Sequence, residues 1–262
     1  MLEGFTSTEF THEGEMRTVY RRGEGPGVVI MHEIPGITPE VARFARRVAD
    51  AGFSVAMPHM FGTPGKPLSV GYAAGQMVRA CIGREFHVLA AQRSSPITDW
   101  LRALARALHQ EVGGKGIGAI GMCLTGNFAL SLMMDECLMA PVLSQPSLPF
   151  PLGGERKAAL HLSPEGLARV KQRAAAGVPV LAMRFTGDPL CPKERFETLR
   201  RELGGRFEAI EIDSSPGNKY GIPRTAHSVV TKDLVDQEGH PTRQALDRVI
   251  AFFTERLKEN NA

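Results

Sequence analysis

The chain has 262 residues, 43% of them hydrophobic and 23% charged, with a formal net charge of +3 at pH 7. That length suits one large α/β domain or two small ones and can bury a sizeable core. With charge nearly balanced and no lysine- or arginine-rich run, the footprint of a nucleic-acid binder is missing, and no stretch of about 18 apolar residues is present to span a membrane.

The opening residues, MLEGFTSTEF, lack the basic start and apolar centre of a signal peptide. Cys81, Cys123, Cys137 and Cys191 are too few for a disulfide scaffold and lack zinc-type pairing. Both features point to a cytoplasmic protein with reduced thiols, monomeric or weakly self-associating.

In chain order, residues 5–21 read as an antiparallel hairpin at a sheet edge, turning near Glu13-Gly14. Residues 27–33, GVVIMHE, form an apolar run bounded by Pro26 and Pro35 and read as a buried strand. Residues 39–52 carry Val41, Phe44, Ala45 and Val48 on one helical face, with Gly52 as a stop. Residues 53–58 are a second buried strand.

Segment 61–97 breaks the alternation, with GTPGKP and then GREFHVLAAQRSSP, and is expected to form a cap over the C-terminal edge of the sheet. Residues 99–108 return to a helical pattern, and 116–121 form a strand that runs into a corner at Cys123 with a helix starting near Thr125. Helices at 165–177 and 194–203 precede strands at 178–185 and 207–212, respectively. The last helix presents Leu246, Val249, Ile250, Phe253 and Leu257 on one face. Strands alternating with helices imply a mainly parallel sheet covered on both faces, here a single domain over residues 1–262. Sites in such sheets lie at the C-terminal strand edge.

Four stretches at that edge carry chemistry. Gly121-Met122-Cys123-Leu124-Thr125 fits a strand–nucleophile–helix elbow, which projects the nucleophile clear of the backbone and aims unpaired N–H groups at a developing anion. An unperturbed thiol is only about 3% thiolate at pH 7, so such a cysteine needs help. Asp188 follows a strand, where a triad acid belongs, although Asp-Pro is also an ordinary turn pair. His227 follows the last strand, giving the order nucleophile, acid, base of the α/β hydrolases. Glu33 ends the first buried strand in an apolar Ile-Pro-Gly turn, a costly place for a carboxylate without a partner. The reading puts Glu33 beside the thiol, with the N–H groups of Ile34 and Leu124 as oxyanion donors.

Together, GMCLTG, Glu33-Ile34-Pro35-Gly36, Asp188-Pro189-Leu190-Cys191-Pro192 and His227-Ser228 resemble the dienelactone hydrolase family over roughly residues 15–257. The α/β-hydrolase fold and a Cys–His–Asp triad are what the resemblance implies. It also implies a resting thiol that faces the glutamate until substrate displaces the carboxylate, which then takes the thiol proton. Thr125 departs from the family elbow. The arginines and tyrosine that hold the substrate carboxylate in dienelactone-opening members have no placed counterpart here. Thr231 and Lys232 follow His227, while Arg84 and Arg79 sit in the cap, with Arg84 kept as a substrate-binding candidate.

The expected activity is hydrolysis of a small carboxylic ester or lactone without metal or cofactor. His12, His32, His59, His87, His109, His161 and His240 show no ligand spacing. Thioester hydrolysis or acyl transfer would use the same residues, and a non-catalytic small-molecule binder on this scaffold is the rival from another class. An oxidoreductase lacks a glycine-rich dinucleotide fingerprint after the first buried strand.

Overall fold

A computed structural model describes residues 2–82, 86–87 and 90–259. The chain opens with β1 (Thr6–His12) and β2 (Glu15–Arg22), an antiparallel pair whose two-residue turn, Glu13-Gly14, holds φ of 50° and 80°. Two positive φ values match the twist of a tight hairpin. Then follow β3 (Gly27–Met31), α1 (Pro39–Asp50), β4 (Ser54–Pro58), α2 (Val70–Ile82), α3 (Ile97–Val112) and β5 (Ile117–Met122). A 3-10 turn (Cys123–Thr125) leads to α4 (Phe128–Leu132), β6 (Leu138–Ser144), α5 (Gly154–Ala158), α6 (Pro164–Ala175) and β7 (Val180–Phe185). The chain closes with α7 (Lys193–Leu203), β8 (Phe207–Ile212) and α8 (Pro241–Leu257).

The eight strands form one sheet in the order β1-β2-β4-β3-β5-β6-β7-β8. From β4 to β8 every neighbour pair is parallel, and the hairpin adds an antiparallel edge. This is the α/β-hydrolase fold. Strand alternation splits the core in two: Val29, Met31, Ala119 and Ala182 face α3, α4, α6 and α7, while Val28, Ile30, Ile120, Leu181 and Met183 face α1 and α8. Burying each large aliphatic side chain contributes about 1.5–3 kcal/mol, so both layers are held mainly by this term.

Proline starts three of the helices and a side chain caps each. Thr38 accepts from Val41 N (3.4 Å), Ser163 from Gly166 N (3.1 Å) and His240 from Thr242 N (3.3 Å). The missing proline N–H falls where a helix has no acceptor for it.

Three features depart from the sequence reading. Strand β6 was hidden by Pro141, which precedes the first β6–β7 rung at Val142↔Leu181 and so stays outside that ladder. The helix expected from Thr125 is instead a 3-10 turn followed by the five-residue α4. The unexpected α2 occupies part of segment 61–97, and its Val70 and Val78 are exposed. The same segment packs inward through Phe61, whose ring lies 4.5 Å from that of His32 and 5.6 Å from that of Phe86. Among the described residues, no helix is long and apolar enough to cross a membrane.

Candidate active site

Parallel pairing sets Met31 opposite Gly121, so β3 and β5 leave the sheet at the same height. Glu33 and Cys123 therefore emerge from adjacent strands, each two residues beyond that rung. Cys123 holds φ at 54°, a left-handed conformation that is costly for a non-glycine residue and marks a strained elbow. Gly121 is needed because an added Cβ would stand 2.1 Å from Thr125 O, and Gly126 because one would stand 2.4 Å from Pro146 Cα.

Thr125, the departure from the family elbow, is fully buried. Its hydroxyl accepts from Met122 N (2.9 Å) and lies 2.9 Å from Met31 O, tying the ends of β5 and β3 together. The Cys123 carbonyl accepts from Gly126 N and Ser147 N, both at 2.9 Å. The amides of Leu124 and Ile34 donate to no group among the described residues. With α4 so short, these discrete amides carry the polarity of the corner.

Asp188 follows β7 and is buried. Its Oδ1 accepts from Leu190 N (2.9 Å), which fixes the carboxylate in a turn, and its Oδ2 lies 2.6 Å from His227 Nδ1. The His227 loop is held by Asp233, whose Oδ2 accepts from the amides of His227 and Ser228, each at 2.8 Å. His227 Nε2 is buried without a hydrogen-bond partner among the described residues. Burial pulls the imidazole pKa down, but the Cys123 sulfur and Asp188 outweigh it and hold the group well above its ordinary value.

Glu33 has hydrogen-bond partners that the sequence does not reveal. It is buried at the site, but its oxygens are taken: Oε2 accepts from Ser228 Oγ (2.7 Å) and Gln145 Nε2 (3.1 Å), and Oε1 from Thr231 Oγ1. Among the described residues Cys123 is not one of its partners. Burial raises the Glu33 pKa, opposed by the hydroxyls of Thr231 and Ser228 and by His227. His32, next to it, is driven by burial down to about 3, against the pull of its bond to Glu33 O. It is a neutral packing residue that accepts from Met60 N at 3.1 Å.

The structure therefore brings Cys123, His227, Asp188, Glu33, Leu124 and Ile34 to one rim of the sheet. Arg84 lies outside the described residues. A groove of about 1010 Å3 at the β1–β2 edge, between Phe5, Leu104 and Glu111, contains none of these candidates. Sequence reasoning missed Gln145, Thr231 and Asp233. Gln145 follows the strand hidden by Pro141, holds φ at 35° and reaches Glu33 through its side-chain amide. Thr231 lies four residues after His227, and no local pattern signals that its hydroxyl reaches Glu33.

The family model described as the dienelactone hydrolase family matches residues 17–257. The chain belongs to the dienelactone hydrolase family. It is accordingly a hydrolase of the ester and lactone class. A Saccharomyces cerevisiae protein, provisionally named carboxymethylenebutenolidase, is 28% identical over 196 residues, covering 74% of this chain and 69% of the relative. The crystal structure of a provisionally named dienelactone hydrolase from Klebsiella pneumoniae superposes with a TM-score of 0.63 at 18% identity, covering 96% of this chain and 98% of the other. A dienelactone hydrolase-like promiscuous phosphotriesterase from metagenomic libraries gives 0.61 at 18% identity, covering 97% and 98%. At those identities the two structures speak for the fold alone.

Proposed function

We propose that this dienelactone hydrolase family member cleaves a small carboxylic ester or lactone with Cys123 as nucleophile, His227 as base and Asp188 as the group that orients it. The observation that carries the reading is the 2.6 Å contact of Asp188 with His227 Nδ1, which leaves the buried Nε2 without a hydrogen-bond partner at the same rim as the strained corner of Cys123.

The steps follow from those contacts. Asp188 fixes the tautomer with hydrogen on Nδ1, so Nε2 is the atom that accepts the thiol proton. The sulfur attacks the carbonyl carbon, and the carbonyl oxygen, now negative, takes hydrogen bonds from Leu124 N and Ile34 N. On collapse the C–O bond to the leaving alcohol breaks and Nε2 returns the proton to that oxygen. Water then attacks the acyl-thioester, Nε2 takes its proton, and the carboxylic acid leaves with the thiol restored. Segment 61–97 would cover the site from the side of Phe61, with Arg84 as a substrate contact. The four cysteines are unpaired, which supports a reducing, cytoplasmic setting.

The test is turnover of p-nitrophenyl acetate by the wild type and Cys123→Ala. The variant should lose about 10³-fold or more in kcat/KM. Equal rates would overturn the assignment and favour a binding protein on this scaffold.

A further inference from the structure

Thr125 stands where a nucleophile elbow often carries glycine, and its hydroxyl has a place in the sheet. The last rung between β3 and β5 pairs Met31 with Gly121. One residue further on, Met122 N donates to Thr125 Oγ1 at 2.9 Å. The same oxygen lies 2.9 Å from Met31 O, 3.0 Å from Met122 O and 3.3 Å from His32 O. A hydroxyl carries one hydrogen, so it serves one of these carbonyls at a time, and the nearest is on β3. The hydroxyl thus continues the ladder one step beyond its last rung, through a side chain. Thr125 is fully buried, so bulk water does not compete for these bonds.

The two amides proposed to hold the oxyanion come directly after this link. Leu124 follows Met122 by two residues and Ile34 follows Met31 by three. In a planar trans peptide the N–H points opposite to the carbonyl of the same unit, so holding that carbonyl aims the N–H. Cys123 O, in the peptide of Leu124 N, accepts from Gly126 N and Ser147 N, both at 2.9 Å. Glu33 O, in the peptide of Ile34 N, accepts from Gly36 N at 2.8 Å and lies 3.2 Å from His32 Nδ1. Each donor is therefore aimed within its own strand end. Among the described residues, Thr125 is the one side chain that hydrogen-bonds across from one end to the other.

We infer that Thr125 is a positioning residue for the oxyanion site: its hydroxyl sets the spacing of Leu124 N and Ile34 N, so that both reach one carbonyl oxygen of the substrate. The inference rests on the proposed roles of these amides and of Cys123.

Donors stabilise a developing anion fully only when they are already in place, and a misplacement of about 1 Å can cost about 100-fold in rate. Valine has the shape of threonine but puts a methyl group where the hydroxyl sits, so the two strand ends lose their link. The neutral carbonyl of the bound ester gains less from these donors than the oxyanion does, so the loss falls on kcat rather than on KM.

The test sets two reagents against Cys123 in the intact protein. With an aryl trifluoromethyl ketone, the sulfur adds to the carbonyl carbon, the thiol proton passes to His227 Nε2, and the former carbonyl oxygen becomes an anion. Iodoacetamide alkylates the same sulfur with loss of iodide and builds no oxyanion. Thr125→Val should bind the ketone about 10- to 100-fold more weakly and lower kcat for p-nitrophenyl acetate by about the same factor, with KM within about three-fold. Its alkylation rate should stay within about two-fold of wild type, because no oxyanion forms in that reaction. Thr125→Ser keeps the hydroxyl and should restore both ketone affinity and kcat. Should Thr125→Val not fold, Thr125→Ala is read in the same way.

Wild-type ketone affinity and kcat in Thr125→Val would overturn the inference. So would an equal loss in ketone binding and alkylation, which would mark a general disturbance of Cys123, and so would a loss that Thr125→Ser does not restore. A ketone that inhibits the wild type and Cys123→Ala alike would strike the nucleophile itself and this inference with it, so the two failures are told apart.

Discussion

Arg195 offers the sharpest test of what holds the site in place. It is fully buried in the first turn of α7, seven residues after Asp188. Its guanidinium donates to four backbone carbonyls: Ala159 (2.9 Å), Pro146 (2.6 Å), Pro149 (2.7 Å) and Arg156 (2.9 Å). Among the described residues no carboxylate is paired with it, and burial pushes its pKa down to about 10. The fall from 12.5 corresponds to roughly 3 kcal/mol held against the charged form. Arg195→Met removes that cost. It also strips four carbonyls of their donors, at about 1–3 kcal/mol each where they remain buried.

Taking the middle of that range, the loss exceeds the gain by roughly 5 kcal/mol, and relaxation of the loop brings the expected destabilisation to about 3–5 kcal/mol. In a chain of this size that lowers Tm by about 6–15 °C, read by calorimetry with urea unfolding as a check. Arg195→Lys keeps the charge but has fewer, differently placed donors, and should fall between. The loop so held carries Gln145 and also Ser147, whose amide bonds the Cys123 carbonyl, so ester turnover should fall with stability. If Arg195→Met proves within about 1 kcal/mol of wild type, the carbonyls have found other donors and the reasoning is wrong.

Two further outcomes follow from the site. Asp188→Asn should keep the fold but lower kcat by about 10²–10⁴-fold with little change in KM, because the imidazole then loses its fixed tautomer; a KM effect alone would speak against that role. Burial raises the Glu33 carboxyl above its unfolded value of 4.5, so its contribution to stability is fully present below about pH 4.5 and is lost as pH rises through the folded value. Glu33→Gln escapes that loss, and its urea midpoint relative to wild type should improve between pH 4.5 and 7. A constant or worsening difference would show that the three hydrogen bonds outweigh burial.

Much of this protein is legible in its sequence because its core strands are apolar on both faces. Residues 27–31 and 180–185 announce themselves that way, and helices such as Pro39–Asp50 add a periodic face and a proline start. The places where reading fails have physical causes. Pro141 makes β6 look like a loop, although it sits in the β5–β6 ladder opposite Ala119 and only precedes the first rung to β7. Thr125 looks like a defect in a glycine position, yet its hydroxyl is the tie between two strand ends. The candidates of the rim were legible through motif and chain order. The orientation of Glu33 was not, because it depends on hydroxyls about two hundred positions away whose direction no local pattern records.

The rung joining Met31 to Gly121 reaches beyond the site it positions. Side chains alternate strictly along a strand, so inserting or deleting a single residue in β3 would send Glu33 to the far side and pull Ile34 out of step with the elbow. Substituting one aliphatic for another there would merely loosen packing. The first buried strand can therefore drift in spelling over generations while its letter count stays frozen.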